Sequence, residues 1–312
     1  MYDILKAIKT GYGTGIEEHV MKILVVGGTR FFGIPMVNAL LSAGHDVTIA
    51  TRGNAKADFA GEVHSVVFDR TDPESVKRAL GGLKFDVIID KIAYGSNDVK
   101  ALLVNVSCDR YIQMSSCSVY HEDHADIRED EFITKDHPLK WQDRLPDYPE
   151  TKRNAERAAL EFMDEASCTF VRYPVVLGEN DYTGRLRFYV DHIRNESPMY
   201  VDDMDRAMSF IHEKEAGQFI AYLADHPCSG AVNGCSNGVV KISEIIHYAE
   251  KKLGKTAILD ADGDAAPYNG LTDTLSFNTE KANGIGYTFS DLGSWIYGLI
   301  DHYVDGYRKI QR

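Results

Sequence analysis

The sequence predicts an α/β chain built on a doubly wound parallel sheet, and three observations carry that prediction. Ile23 to Val26 is an unbroken aliphatic run, the pattern of a strand buried on both faces. Glycines follow at Gly27, Gly28 and Gly33, where missing side chains let the chain turn sharply and let a pyrophosphate approach the backbone. Met36, Val37, Leu40 and Leu41 then recur at helical spacing behind Pro35 and stop at Gly44, so strand, glycine loop and helix stand in the order of a dinucleotide site.

At 312 residues the chain can bury a large core and fits one extended α/β unit with a smaller lobe. Its 34 basic and 47 acidic residues give a net charge of −13, which argues against non-specific nucleic-acid binding and against an acidic membrane surface, local basic patches aside. The five cysteines, Cys108, Cys117, Cys168, Cys228 and Cys235, are odd in number and form no Cys-x-x-Cys pair. That argues against a disulfide framework or structural zinc and fits a reducing cytoplasm. Residues 1–20 hold no long apolar run, since Lys6, Lys9, Glu17 and Glu18 interrupt it, so neither signal peptide nor membrane anchor is expected. This leader receives no chemistry: a surface helix, a tail and an upstream start codon all remain open.

Taken in order, His45–Ala50 reads as a second strand ending at Thr51-Arg52, and Val63–Phe68 as a third ending at Asp69. Thr71-Asp-Pro-Glu74 has the form of a helix cap with a first-turn proline and acid. Phe85–Asp90 is a fourth strand leading to Ala93 and Tyr94, and one short helix near Asn97–Val104 forms the next crossover. A fifth strand, Tyr111–Met114, leads into Ser115-Ser116. His121–Asp147 is charged and polar and reads as a flap; its histidines and acids hold no fixed ligand spacing, so no metal is assigned. Tyr148-Pro-Glu-Thr-Lys152 opens a strong helix in which Tyr148 and Lys152 share one face. Thr169–Gly178 reads as a further strand, with helices near Ala216–Ala224 and Ile242–Leu253 beyond it.

These motifs resemble the extended short-chain dehydrogenase/reductase family, which includes NAD(P)-dependent nucleotide-sugar epimerases and dehydratases. Gly27-x-x-Arg30-x-x-Gly33 is similar to the family's Gly-x-x-Gly-x-x-Gly with the middle glycine replaced. Gly-Gly-Thr-Arg-Phe-Phe-Gly is closer to an atypical branch containing chloroplast stem-loop-binding proteins. Ser-Ser-x-x-Val-Tyr at residues 115–120, Tyr148-x-x-x-Lys152 and the later Arg172-x-x-x-Val176-x-Gly178 follow in the family's order, so the resemblance runs from residue 21 onward. It implies a Rossmann-type domain over 21–178 and a substrate-binding lobe over 179–312, interleaved with the first. The short crossover after Tyr94 lacks much of the helix that forms the family's usual dimer face, which implies a monomer or an atypical oligomer.

The resemblance also assigns roles. Gly27, Thr29, Arg30, Phe31, Phe32, Gly33, Ala93, Tyr94, Ser115, Lys152, Tyr173 and Pro174 would contact the cofactor, with Arg30 either over the phosphates or solvated. Asp69 would accept from the adenine amino group. Family members that use NAD carry an acid at the end of the second strand; Thr51 and Arg52 stand there, which favours the 2′-phosphate of NADP over NAD. Ser116, Tyr148 and Lys152 form the catalytic set. Tyr148 transfers a proton, Lys152 lowers its pKa and binds the nicotinamide ribose, and Ser116 holds the substrate oxygen. Arg185, Arg187 and Arg206 are candidates for the diphosphate of a nucleotide-linked sugar. The activity implied is hydride transfer on such a sugar, as in UDP-glucose 4-epimerase. An NADPH-dependent reductase of another substrate and a non-catalytic NADP sensor or RNA-binding protein stay open as alternatives.

Overall fold

In the computed structural model, residues 20–272 and 274–306 are described; the leader, apart from Val20, lies outside them. Seven parallel strands make the central sheet: β1 (Lys22–Val26), β2 (Asp46–Thr51), β3 (His64–Val67), β4 (Lys84–Asp90), β5 (Ser107–Ser116), β6 (Cys168–Tyr173) and the short strand Gly230–Asn233. Their spatial order is Gly230–Asn233, β6, β5, β4, β1, β2, β3. β1 pairs with β2 on one side and β4 on the other, so the winding reverses between β1 and β4, where such sheets open a crevice at the strand C-termini.

The helices are α1 (Gly33–Ser42), α2 (Pro73–Leu80), α3 (Ser96–Leu103), α4 (Tyr148–Ala159), α5 (Arg185–Asn195), α6 (Glu213–Asp225), α7 (Ile242–Leu253), α8 (Glu280–Gly284) and α9 (Ile296–Gly306). Ile23 and Val25 of β1 pack with Met36, Leu40, Phe219 and Leu223 of α1 and α6. Leu24 and Val26 point the other way, to Val76 and Leu80 of α2, Leu102 of α3 and Ala155 of α4. Burial on both faces explains why β1 is continuously apolar rather than alternating.

A second core joins Leu177 to Leu186 and Tyr189 of α5, Ile245 of α7 and Ile300 of α9. α6 and Gly230–Asn233 nevertheless return to the main sheet, so the C-terminal stretch threads through both cores. The single strand expected over Thr169–Gly178 is two: β6 ends at Tyr173, and Val176–Leu177 pairs instead with Ile211–His212. Pro174 sits at the break, where it has no N–H to continue the ladder. α2 is capped as its sequence implies, the Asp72 side chain accepting from Glu74 N at 3.0 Å with Pro73 in the first turn.

Candidate functional site

The glycine loop takes its shape from two positions. Gly27 has φ +83°, a conformation that favours glycine, and Gly33 approaches so closely that a Cβ there would lie 2.8 Å from the Gly28 backbone. The loop therefore brings bare backbone to the start of α1, as an anionic group requires. Beside it, at the sheet's C-terminal edge, lies a cavity of about 1120 Å³ whose wall includes Gly27, Thr29, Arg30, Thr51, Arg52 and Tyr94. Six cations line it (Arg30, Arg52, Arg70, Lys91, Lys100, Arg144) against three carboxylates (Asp69, Asp98, Asp143), a basic surface on a chain of net charge −13. A pyrophosphate-bearing dinucleotide fits such a wall.

Asp69 lies just past β3. Its Oδ1 accepts from Thr71 Oγ1 at 2.7 Å and Thr71 N at 2.9 Å. Those bonds, and secondarily the charge of Arg52, hold its carboxyl below the usual range. Thr51 Oγ1 accepts from Gly53 N at 3.1 Å, and Arg52 is exposed beside Asp69 with no ion-pair partner among the described residues. Beneath the cavity Asp90 is buried at the end of β4. It accepts from Arg70 at 2.6 and 2.5 Å, from Tyr111 Oη at 2.9 Å and from Ile92 N at 3.1 Å. This network, invisible to motif reading, ties β4, β5 and the loop after β3 together under the cavity.

Tyr148 is the first residue of α4, whose N-terminus is fixed by Asp147 accepting from Glu150 N at 3.1 Å and by Pro149. Ser116 ends β5, accepts from Ser118 N at 3.2 Å and lies beside the Tyr148 hydroxyl, whose titration it influences. Lys152, one turn on, is fully buried and donates to the Ala93 carbonyl at 2.9 Å and the Met114 carbonyl at 2.8 Å; burial pushes its ammonium down to about 8. The fold thus brings Ser116, Tyr148 and Lys152 together. Burial pushes the Tyr148 phenol above its ordinary value, and the main influences pulling it back are Ser116, Arg144 and Arg185. The Lys152 ammonium donates to two carbonyls, and Arg144 and Arg185 are among the main charges that lower the tyrosine.

Other expected contacts fall elsewhere. Ser115 is buried and donates to Glu156. Tyr173 is buried beside Phe32 and Phe219, its hydroxyl donating to the Ala216 carbonyl at 2.6 Å, so it is core and not cavity wall. Phe32 is likewise core, Ala93 contributes its carbonyl to Lys152, and Pro174 is partly buried at the strand break. Phe31 sits at φ +56° with its ring 6.0 Å from that of Tyr182. Arg206 is buried, paired with Asp202 and donating to the carbonyls of Tyr268 at 3.1 Å, Leu271 at 2.5 Å and Thr272 at 3.3 Å, so it clasps a loop and is not available to a substrate. Arg187 pairs along its helix with Asp191 at 3.0 Å, whereas Arg185 is exposed near Tyr148.

The stretch 121–147 is not a loose flap. Arg172 of β6, paired with Glu156 of α4 at 2.8 Å, donates to the Glu129 and Phe132 carbonyls at 3.0 Å each. Thr134 adds a bond to Glu156 at 2.7 Å. Farther along, Ser96 Oγ donates to the Lys140 carbonyl at 2.6 Å, which lays the segment over α3 and brings Arg144 to the cavity, its guanidinium 4.8 Å from the Tyr94 ring centre. Arg144 carried no motif. Lys91 was missed too, although a lysine directly after the buried strand residues Val87–Asp90 was a signal.

Comparison with known proteins agrees with this geometry. The family model described as the NAD dependent epimerase/dehydratase family matches residues 23–102 and 91–237. A chloroplast stem-loop binding protein of 41 kDa from Arabidopsis thaliana is 34% identical over 113 residues, 32% of this chain and 30% of that protein. A 2'-dehydrokanamycin reductase from Streptomyces kanamyceticus is 33% identical over 101 residues, 32% of this chain and 29% of that protein. The chain therefore spans less than a third of the length of either relative. Among solved structures, the UDP-glucose 4-epimerase of Thermotoga maritima with UDP-glucose superposes with a TM-score of 0.69 at 15% identity, covering 94% of this chain and 100% of that one, a likeness of fold. With the glycine loop, the reversed winding and the matched span in agreement, the chain belongs to the NAD dependent epimerase/dehydratase family.

Proposed function

We propose that this protein is an NADP(H)-dependent oxidoreductase that reduces a keto group to a hydroxyl, with Tyr148 as the proton donor. The observation that carries the reading is the Tyr148–Ser116 pair: a partly buried phenol at the start of α4, held in its protonated form, beside the serine at the end of β5. A protonated tyrosine suits the donor role in reduction; acting as a base in oxidation would require its pKa to fall. Ser116 orients the substrate oxygen toward Tyr148. Lys152 fixes the Ala93 and Met114 carbonyls and hence the pocket wall on which a nicotinamide ribose would rest. The glycine loop and Arg30 would receive the diphosphate, Asp69 the adenine, and Thr51 with Arg52 a 2′-phosphate. When bound, the nicotinamide supplies the hydride.

A nucleotide-linked sugar remains the second reading, favoured by one feature: Arg185 and Arg144 flank Tyr148 and would attract an anionic substrate. It is weakened by the burial of Arg206. A screen of UDP-, GDP- and dTDP-sugars and of neutral ketones with NADPH and NADH, following cofactor absorbance and sugar isomers together, separates the readings. Stoichiometric cofactor oxidation supports reduction, and isomer exchange without net oxidation supports epimerisation. Tyr148→Phe should keep cofactor binding and lower turnover by about a hundredfold or more, the scale of general acid–base catalysis. Turnover unchanged in Tyr148→Phe would refute the assignment and favour a binding protein.

A further inference from the structure

Lys91 follows β4 at the point where the winding reverses, its N–H donating to the Val26 carbonyl at 3.1 Å. Its side chain lines the cavity. The ammonium lies 4.2 Å from the centre of the Phe32 ring, the residue that caps α1 at the end of the glycine loop. Among the described residues no carboxylate and no hydrogen-bond acceptor meets it, and its desolvation is offset only by that ring. Lys152, by contrast, is fully buried and holds two carbonyls. A partly buried cation without an acceptor is costly to the empty protein unless something anionic completes it. What the cavity offers next to it is the bare backbone of Gly27 and the start of α1, both arranged for phosphate.

We propose that Lys91 is a diphosphate-binding residue, donating to the cofactor's pyrophosphate from the β4 side of the crevice while the glycine loop holds it from the β1 side. The inference rests on the dinucleotide reading of the cavity. Arg30 stands at the same loop and is exposed, so the diphosphate would be held between a half-buried and an exposed cation. The half-buried one has less water to compete with and forms the stronger contact.

The test is calorimetric titration of wild type, Lys91→Met and Lys91→Gln with two probes, ADP-ribose, which carries the diphosphate, and 2′-AMP, which does not. Both variants should bind ADP-ribose about tenfold or more weakly, the scale of one lost charge-assisted hydrogen bond, and bind 2′-AMP as wild type does. The salt dependence of ADP-ribose binding should become shallower. Thermal melting of the empty variants at or above the wild-type temperature shows that lost affinity is not lost folding. Unchanged ADP-ribose affinity in both variants overturns the role of Lys91 and leaves the dinucleotide site standing. Failure of wild type to bind ADP-ribose, NADPH or NADH overturns the dinucleotide reading itself.

Discussion

The cations at the sheet's C-terminal edge differ from those of the second core. Arg206 and Arg187 are paired with Asp202 and Asp191 on or near the elements that carry them. Arg30, Arg52, Lys91, Arg144 and Arg185 have no ion-pair partner among the described residues, and four of the five line the cavity. A paired charge has its field cancelled locally and serves the fold, whereas an unpaired one keeps its field for a ligand. The buried pairs Arg70–Asp90 and Arg172–Glu156 are the extreme of the first kind: Arg70 lies in the cavity wall, and Glu156 accepts from Ser115, the neighbour of Ser116.

The largest effect should come from breaking such a pair. Arg172→Met leaves the Glu156 carboxylate buried with only Ser115 and Thr134 to satisfy it and frees the carbonyls of Glu129 and Phe132. Loss of one partner of a buried ion pair costs about 3–5 kcal/mol. Urea denaturation should show a loss of that size, and a change below about 1 kcal/mol would mean that the pair does not brace the fold. By contrast Arg52→Ala, on the unpaired side, should leave the urea midpoint unchanged while NADPH affinity falls about tenfold and NADH affinity stays the same. Equal binding of the two cofactors by wild type would remove the NADP preference.

The two lysines sharpen the comparison through pH. Burial lowers both Lys91 and Lys152 from 10.5 to about 8. Folding therefore weakens their hold on the proton, and between about pH 8 and pH 10.5 the unfolded chain binds more protons than the folded one. Stability contributed through these groups rises with pH across that window, and below it the full cost of the buried ammonium is present. Lys91→Met should accordingly melt a few degrees above wild type at neutral pH, with the gap closing as the pH rises through the window. A gap that is constant with pH would show that Lys91 is not desolvated in solution.

How much of this was legible in the sequence follows the same division. β1, the glycine loop, the cap of α2 and the bounds of α7 come from local patterns: apolar runs, glycine, Asp-Pro, helical spacing. Ser116, Tyr148 and Lys152 were legible as an ordered set of motifs, and their convergence follows from the parallel winding that puts strand ends and helix starts on one edge. What was not legible depends on partners far apart in the chain. Arg206 looks like a substrate cation until the loop at 268–272 folds over it, and Tyr173 looks like a cofactor contact until α6 presents the Ala216 carbonyl. Lys152 could not be read as turned toward Met114 and Ala93, because its distance from Tyr148 along the helix says nothing about the strand ends behind it.

The smallest effect separates two arginines two residues apart on α5. Arg187 is exposed and holds Asp191 one turn on, a pair worth about 0.3–0.5 kcal/mol on a helix surface. Arg187→Ala should move stability by no more than that and leave the kinetic constants alone. Two positions on a helix differ by about 200°, so Arg185 projects to the opposite side, where its charge reaches Tyr148. Replacing Arg185 by Ala removes attraction for an anionic substrate, so for a nucleotide-linked sugar KM should rise severalfold; it also removes one of the cations that lower the Tyr148 phenol, an effect on kcat that every substrate shares. For a neutral ketone KM should not change appreciably. The pair of variants thus reads the charge of the substrate from kinetics alone, and a fall in kcat for Arg187→Ala would show that this helix carries more of the site than its surface ion pair suggests.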